Sequence, residues 1–302
     1  MVKHCVTPRS VQLQGSEVAM VPPMRVEAGH AASVEGNPSS PPVLKWWLEA
    51  TMTLAFYIVY SAIRNQFGSA LGDSVRRRSY ENALDIIGIE KAIGLYHEEW
   101  IQQRFLDWEW FIVFWNVFYG TFHFIVTIFV MVYLFLRFPA RYIFMRSTLA
   151  VTTASALIGF ALYPLMPPRL LSNCASKYGD CRPGHNYVDT LVDPGGPWSF
   201  ESGPMEAISN QYAAMPSLHI AWAVWCTIGL YPVLKRRSTR FVIATYPALT
   251  LFSIMVTANH YWIDALGGLA SVALGLLLAP RLSQFLPGGV RRSRSTSTVS
   301  KG

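Results

Sequence analysis

Charge is scarce in this chain. Asp, Glu, Lys and Arg make up 14% of its 302 residues, against about 25% in an average soluble domain. Cysteine is scarcer still, with four residues, too few for a disulfide-dense secreted module. The glycine repeat of a collagenous chain is missing, as is the polar composition of a disordered one. No period-2 alternation of the kind that marks a membrane β-barrel runs through the sequence. Apolar residues are abundant instead: 52% are hydrophobic and 14% aromatic. They gather in long charge-free runs, so a membrane protein is a better first description than a soluble enzyme.

A bilayer-spanning helix needs about 20 mainly apolar residues. Trp110–Leu136, Ser147–Pro168, Ala207–Leu234 and Phe241–Ile263 contain no Asp, Glu, Lys or Arg. Ala265–Pro280 is shorter, with Asp264 just ahead of it at an interface, and Trp46–Ile63 carries one acid, Glu49. These runs predict six spans at about 45–65, 111–136, 144–163, 217–235, 241–259 and 262–280. Backbone polar groups cannot be left open in lipid, so the spans are helices. The expected fold is an all-α polytopic membrane protein, a six-helix bundle.

Lys and Arg set the orientation. With the N-terminus in the cytoplasm, sixteen fall on the cytoplasmic side and eight outside. The outer run Arg76–Arg78 opposes the rule but is flanked by Asp73, Glu81 and Asp85. The net charge of +7 is then largely a topology signal, and no basic face on a soluble fold points to nucleic acid. The expected organisation is a disordered cytoplasmic tail over 1–42, a membrane catalytic domain over 43–282 and a basic, Ser/Thr-rich cytoplasmic tail over 283–302. The first tail lacks the apolar core of a signal peptide. For the second, solvation competes with contact to anionic lipid.

Between the first two spans, Ala83, Ile86, Ile87, Ile89, Ile93, Leu95 and Ile101 recur at helical spacing among charges. They predict one or two amphipathic helices along the outer interface, with Trp100, Trp108 and Trp110 nearby. Glu90 in this segment is expected at the solvated surface or among headgroups. Cys5 falls in the tail and Cys226 in a span, while Cys174 and Cys181 share the outer loop 164–216. On an oxidising side a Cys174–Cys181 disulfide is expected, with two free thiols as the alternative.

Ionisable groups at membrane depth are costly, so their convergence is informative. Three helix ends meet the same face: Tyr163–Arg169 after the third span, Met215-Pro216-Ser217-Leu218-His219 at the start of the fourth, and Asn259-His260-Tyr261-Trp262-Ile263-Asp264 between the fifth and sixth. His260 and Asp264 share a face if that turn is helical. A carboxylate on one imidazole nitrogen fixes the tautomer and leaves the other nitrogen to act. A structural His–Asp pair is the alternative.

Pro216 and Ser217 suit the start and cap of a helix whose N-terminus would attract an anion. There His219 is placed to protonate a leaving oxygen, and Arg169 to hold phosphate oxygens in its fork. The set reads as phosphoryl transfer: His260 attacks phosphorus, Asp264 supports it, His219 acts as acid, and Arg169 and Ser217 bind phosphate. A metal site is the chemical rival, but there is no H-E-x-x-H helix and no further acid at ligand spacing. His123, mid-span, is expected to hydrogen-bond within the bundle.

At these residues the sequence resembles the type 2 phosphatidic acid phosphatase superfamily, and more closely the branch containing the inositol phosphorylceramide synthases and their bacterial relatives. Met215–His219, His260–Asp264 and the Pro167-Pro168-Arg169 turn carry the resemblance, which covers about residues 45–280. It implies a six-helix fold in the plasma membrane of a bacterium, a site on the non-cytoplasmic face, a phosphohistidine on His260 and neither metal nor cofactor. It also implies a lipid substrate and a lipid acceptor. The lipid phosphatases have Pro-Ser-Gly-His, where this chain has Leu218 for glycine. They carry a Ser-Arg pair, where this chain has Ser253-Ile254. Their lysine and Arg-Pro phosphate motif is missing. These departures favour the synthase-like branch, a lipid phosphotransferase, over a phosphatase that uses water. A non-catalytic transporter or scaffold would put its polar groups near mid-membrane, whereas here they gather at one interface.

Overall fold

The computed structural model describes residues 44–66, 73–171, 185–193 and 211–286, all within one compact unit, Pro41–Gly302. Among them the chain is all-α. Its helices are α1 (Trp46–Gln66), α2 (Asp73–Ala92), α3 (Glu98–Phe105), α4 (Glu109–Arg137), α5 (Pro139–Leu162), α6 (Leu218–Leu230), α7 (Arg237–Val256) and α8 (Trp262–Leu282). A 3-10 turn at Pro168–Leu170 follows α5, and a lone bridge joins Leu165 to Ala213. The expected tail 1–42 and nearly all of 283–302, like Cys5, Cys174 and Cys181, lie outside the described residues. Cys226 is a buried free thiol.

Four helices, α4, α5, α7 and α8, are long and apolar enough to cross a membrane, as expected of an integral membrane protein. Two of the six expected spans fall short of that standard. α1 has the length but is diluted by Glu49, Arg64 and several hydroxyls. α6 has 13 residues, about 20 Å of helix. Its apolar run continues past Leu230, but Pro232 cannot prolong the helix.

The core lies between α4, α6 and α7, where Ile112, Val130, Leu134, Trp225 and Val256 are almost fully enclosed. Trp225 donates its indole N–H to the Met145 carbonyl on α5 at 2.8 Å. α8 crosses the start of α6 through glycine: a Cβ at Gly268 would run into the Ser217 carbonyl oxygen. This close approach brings the two histidine-bearing segments together.

α2 buries a stripe at Ser79, Ala83, Ile86, Ile87 and Glu90, the i, i+4, i+7, i+8, i+11 pattern of one helical face. That stripe packs beside Leu165, Met166 and Tyr261. Two polar ties hold it there. Met166 N–H donates to the Ser79 carbonyl at 3.1 Å, and Asn82 Nδ2 donates to the Pro164 carbonyl at 2.7 Å. The expectation for Glu90 is therefore overturned. It continues the apolar stripe and is 0% exposed.

Candidate active site

His260 stands in the turn between α7 and α8, as expected, and that turn is not helical. Its contact with Asp264 forms because the carboxylate, three residues past the N-cap Tyr261, folds back over the helix end. Asp264 Oδ2 accepts from the Tyr261 backbone N–H at 2.9 Å and lies 3.2 Å from His260 Nδ1. Nδ1 therefore carries the proton, and Nε2 keeps its lone pair. That lone pair faces His219 Nδ1 at 3.3 Å. The three side chains form a line: Asp264, His260, His219. His260 and Asp264 are buried, at 3% and 0% exposure.

His219 sits in the first turn of α6. Tyr119 of α4 stacks on its ring at 4.3 Å between centroids, and His123, one turn further along α4, meets it edge-on at 4.3 Å. His123 donates Nδ1–H to the Tyr119 carbonyl at 2.9 Å. The expected intrabundle hydrogen bond is present, but so is a third imidazole against the histidine pair. A narrow crevice beside His219 is lined by Phe118, Tyr119, His123, Tyr246, Thr250 and Ile254, among others. Ile254, standing at the arginine position of the lipid phosphatases, lines this apolar wall. Ser253 donates to the Trp115 carbonyl at 3.2 Å.

Ser217 occupies the N-cap of α6, as expected, but its side chain makes no cap bond. Its Oγ is buried without a partner among the described residues. Its backbone N–H donates to the Asp264 carbonyl at 2.9 Å, which joins the two motifs through the main chain. Pro216 lies ahead of the cap, outside the first turn.

Arg169 is buried in the 3-10 turn, at 4% exposure. Its backbone N–H donates to the Ala258 carbonyl at 2.8 Å, its Nε to Asn259 Oδ1 at 2.9 Å, and its Nη1 to Asp189 Oδ2 at 2.5 Å. The arginine is thus locked to the residue before His260. Ala258 adopts φ +50°, a left-handed conformation that costs a non-glycine residue about 1 kcal/mol or more. Such strain concentrates at functional sites.

Asp189 and Glu98 were not singled out by sequence. Asp189 rides on segment 185–193. There Val188 exchanges hydrogen bonds with Gln102 of α3 at 2.8 and 2.9 Å, and Thr190 does so with Asn116 of α4 at 2.6 and 3.0 Å. Glu98 is 0% exposed. Nothing in a local window marks Asp189. The buried stripe of α2, extended one turn past Ile86 and Ile87, does mark Glu90.

Among the described residues, no group of three His, Cys, Asp or Glu side chains is placed to hold a metal ion. The line explains why: His260 lies between the other two and uses both ring nitrogens on them, so the lone pairs do not converge.

An apolar helix bundle with a buried carboxylate–imidazole–imidazole line at one end defines an integral membrane protein with a candidate acid–base centre. The model of the PAP2 superfamily matches residues 84–278, and the chain belongs to that superfamily. It is accordingly a phosphatase or phosphotransferase acting on lipid phosphates. No curated protein and no solved structure matches the chain.

Proposed function

We propose that the protein is a lipid phosphotransferase, similar to the inositol phosphorylceramide synthases, that moves a phospho-headgroup to a lipid hydroxyl through a phosphohistidine on His260. The carrying observation is the line itself: Asp264 holds His260 Nδ1, and Nε2 faces His219. In the first half, Nε2 attacks phosphorus. The bond from phosphorus to the leaving oxygen breaks, and His219 delivers a proton to that oxygen. In the second, the acceptor hydroxyl attacks phosphorus, His219 takes its proton and the N–P bond breaks. Asp264 stabilises the imidazolium throughout.

Two anchors are available to the phosphate. The first-turn amides of α6 lack a side-chain cap, and Ser217 Oγ beside them has no partner. A helix N-terminus in that state favours an anion. Arg169 supplies charge from the side of Asn259. Burial of His260, at 3% exposure, favours a lipid hydroxyl over water as acceptor.

Depth fits the same reading. The basic residues Arg137, Arg237 and Arg281 lie at the ends of α4, α7 and α8 away from the site, which supports a cytoplasmic position for those ends. His123 lies 14 residues from Arg137, about 21 Å along α4. In a hydrocarbon core of about 30 Å this sets the site several ångströms below the non-cytoplasmic boundary. A recessed start also lets the short α6 serve as a crossing, with α1 as the sixth, an even count that supports cytoplasmic termini.

The test is a membrane preparation given a phosphate-labelled inositol phospholipid and a hydroxylated lipid acceptor. Label on the acceptor supports transfer; free labelled phosphate identifies a phosphatase. His260→Ala removes either activity, by about 10³-fold or more. Full activity in that variant would sink the mechanism, and zinc-dependent activity reversed by chelation would replace it with metal catalysis.

A further inference from the structure

The leading amides of α8, the helix that carries Asp264, are taken by three carboxylates. Tyr261 N–H donates to Asp264 itself, Trp262 N–H to Glu98 Oε1 at 3.3 Å and Ile263 N–H to Glu90 Oε1 at 2.9 Å. Glu90 comes from α2 and Glu98 from α3, and both are 0% exposed. The groups facing them are each other, Asp264 of α8, and the phenols of Tyr96, Tyr187 and Tyr261. Among the described residues no cation pairs with either glutamate, and Lys91 lies over the Tyr96 ring at 4.8 Å instead. Three like charges at one buried helix end would repel strongly.

The hydrogen bonds assign a proton. Both Glu98 oxygens accept backbone N–H groups, from Trp262 and from His97. Glu90 Oε2 is buried with no partner when read as a carboxylate. The neighbouring carboxylate that bears on it is Glu98. Burial, followed by the bond to Glu98 and its charge, pushes Glu90 up to about 9.

We propose that Glu90 and Glu98 are positioning residues for the His260–Asp264 pair: Glu90 keeps one proton, donates it to Glu98, and together they fix the α8 amides that aim Asp264. The proton spares Asp264 and His260 a further carboxylate charge at this helix end. Loss of that proton adds a second charge and drives α2 off the end of α8. The folded chain keeps a proton that an unfolded one releases near 4.5. The stability it supplies is therefore complete below pH 4.5 and lost as pH rises through about 9.

The proposal rests on His260 as nucleophile, and the experiment separates the two. Full-length protein in lipid is examined by infrared difference spectroscopy and by the transfer assay across pH. At neutral pH a protonated-carboxyl band is expected that Glu90→Gln removes and Glu81→Gln, at an exposed site, leaves. Gln keeps both an acceptor for Ile263 and a donor for Glu98. Glu90→Gln therefore retains kcat within threefold and loses the alkaline limb near pH 9. Glu90→Ala and Glu98→Gln lower kcat at least tenfold with KM within twofold. The proposal is overturned if the band is missing or survives in Glu90→Gln, if Glu90→Gln is as slow as Glu90→Ala, or if the alkaline limb stays. Activity in His260→Ala overturns the functional reading while the infrared band still decides the proton.

Discussion

Two buried arginine–carboxylate pairs, one near the start of α5 and one past its end, are built differently. Arg146, in the second turn of α5, pairs with Glu49 of α1, which also accepts from the Tyr142 hydroxyl at 3.0 Å. All three partners lie on helices, and the pair pins α1 to the bundle. Arg169 pairs with Asp189, but both lie on connecting segments, and the third partner, Asn259, is next to His260. One pair is a bolt between helices, the other a clamp on the catalytic turn. The same chemistry thus serves stability where helices hold it and reactivity where loops do.

The sharpest way to break this contrast is Arg146→Ala. It leaves Glu49 buried without its counter-charge, and such a loss costs about 3–5 kcal/mol. Thermal unfolding in lipid is expected to show it, while kcat per folded molecule stays within twofold. A large fall in kcat with unchanged stability would erase the distinction between the pairs.

Gly268→Ala comes next and acts on the site through packing alone. The added methyl meets the Ser217 carbonyl oxygen, a backbone atom that cannot swing aside. α8 must back away from α6, and the 3.3 Å contact between His260 and His219 opens. A misplacement of about 1 Å costs on the order of 100-fold in rate. Retained kcat would mean that the histidines need no direct contact.

Much of the Asp264–His260–His219 line was legible because its members stand where few other polar residues do. His260 and Asp264 lie at the end of one charge-free run and His219 near the start of an expected span, and the runs anticipate α4, α5, α7 and α8 to within a few residues. The rest depends on chain pairing that no local window contains. Asp189 meets Arg169 across 20 residues, Glu98 meets Trp262 across 164 and Glu90 meets Ile263 across 173. The backward fold of Asp264 was also hidden. An i, i+4 spacing suggests one helical face, yet here it arises from a capping carboxylate at the start of α8. Glu90 was the avoidable error, since its register with Ala83, Ile86 and Ile87 placed it on the buried face.

Arg169→Lys is a smaller test, placed on the clamp itself. Lysine keeps the charge but lacks the fork that reaches Asn259 and Asp189 together. About a tenfold loss in kcat/KM is expected, with unfolding little changed. An equal loss of stability would make this pair a bolt as well.

The mildest change, Asp189→Asn, asks what the clamp's carboxylate does. Asparagine keeps an acceptor for Arg169 and removes the negative charge beside it. If Asp189 only aims the guanidinium, its charge works against an incoming phosphate, because two anions compete for one cation. KM for the phospholipid then falls a few-fold, worth less than about 1 kcal/mol, and kcat hardly moves. The gain is greatest at low ionic strength, since added salt screens the phosphate's approach. A rise in KM instead would show that the full ion pair is needed to keep Arg169 against Asn259, and through it the turn that carries His260.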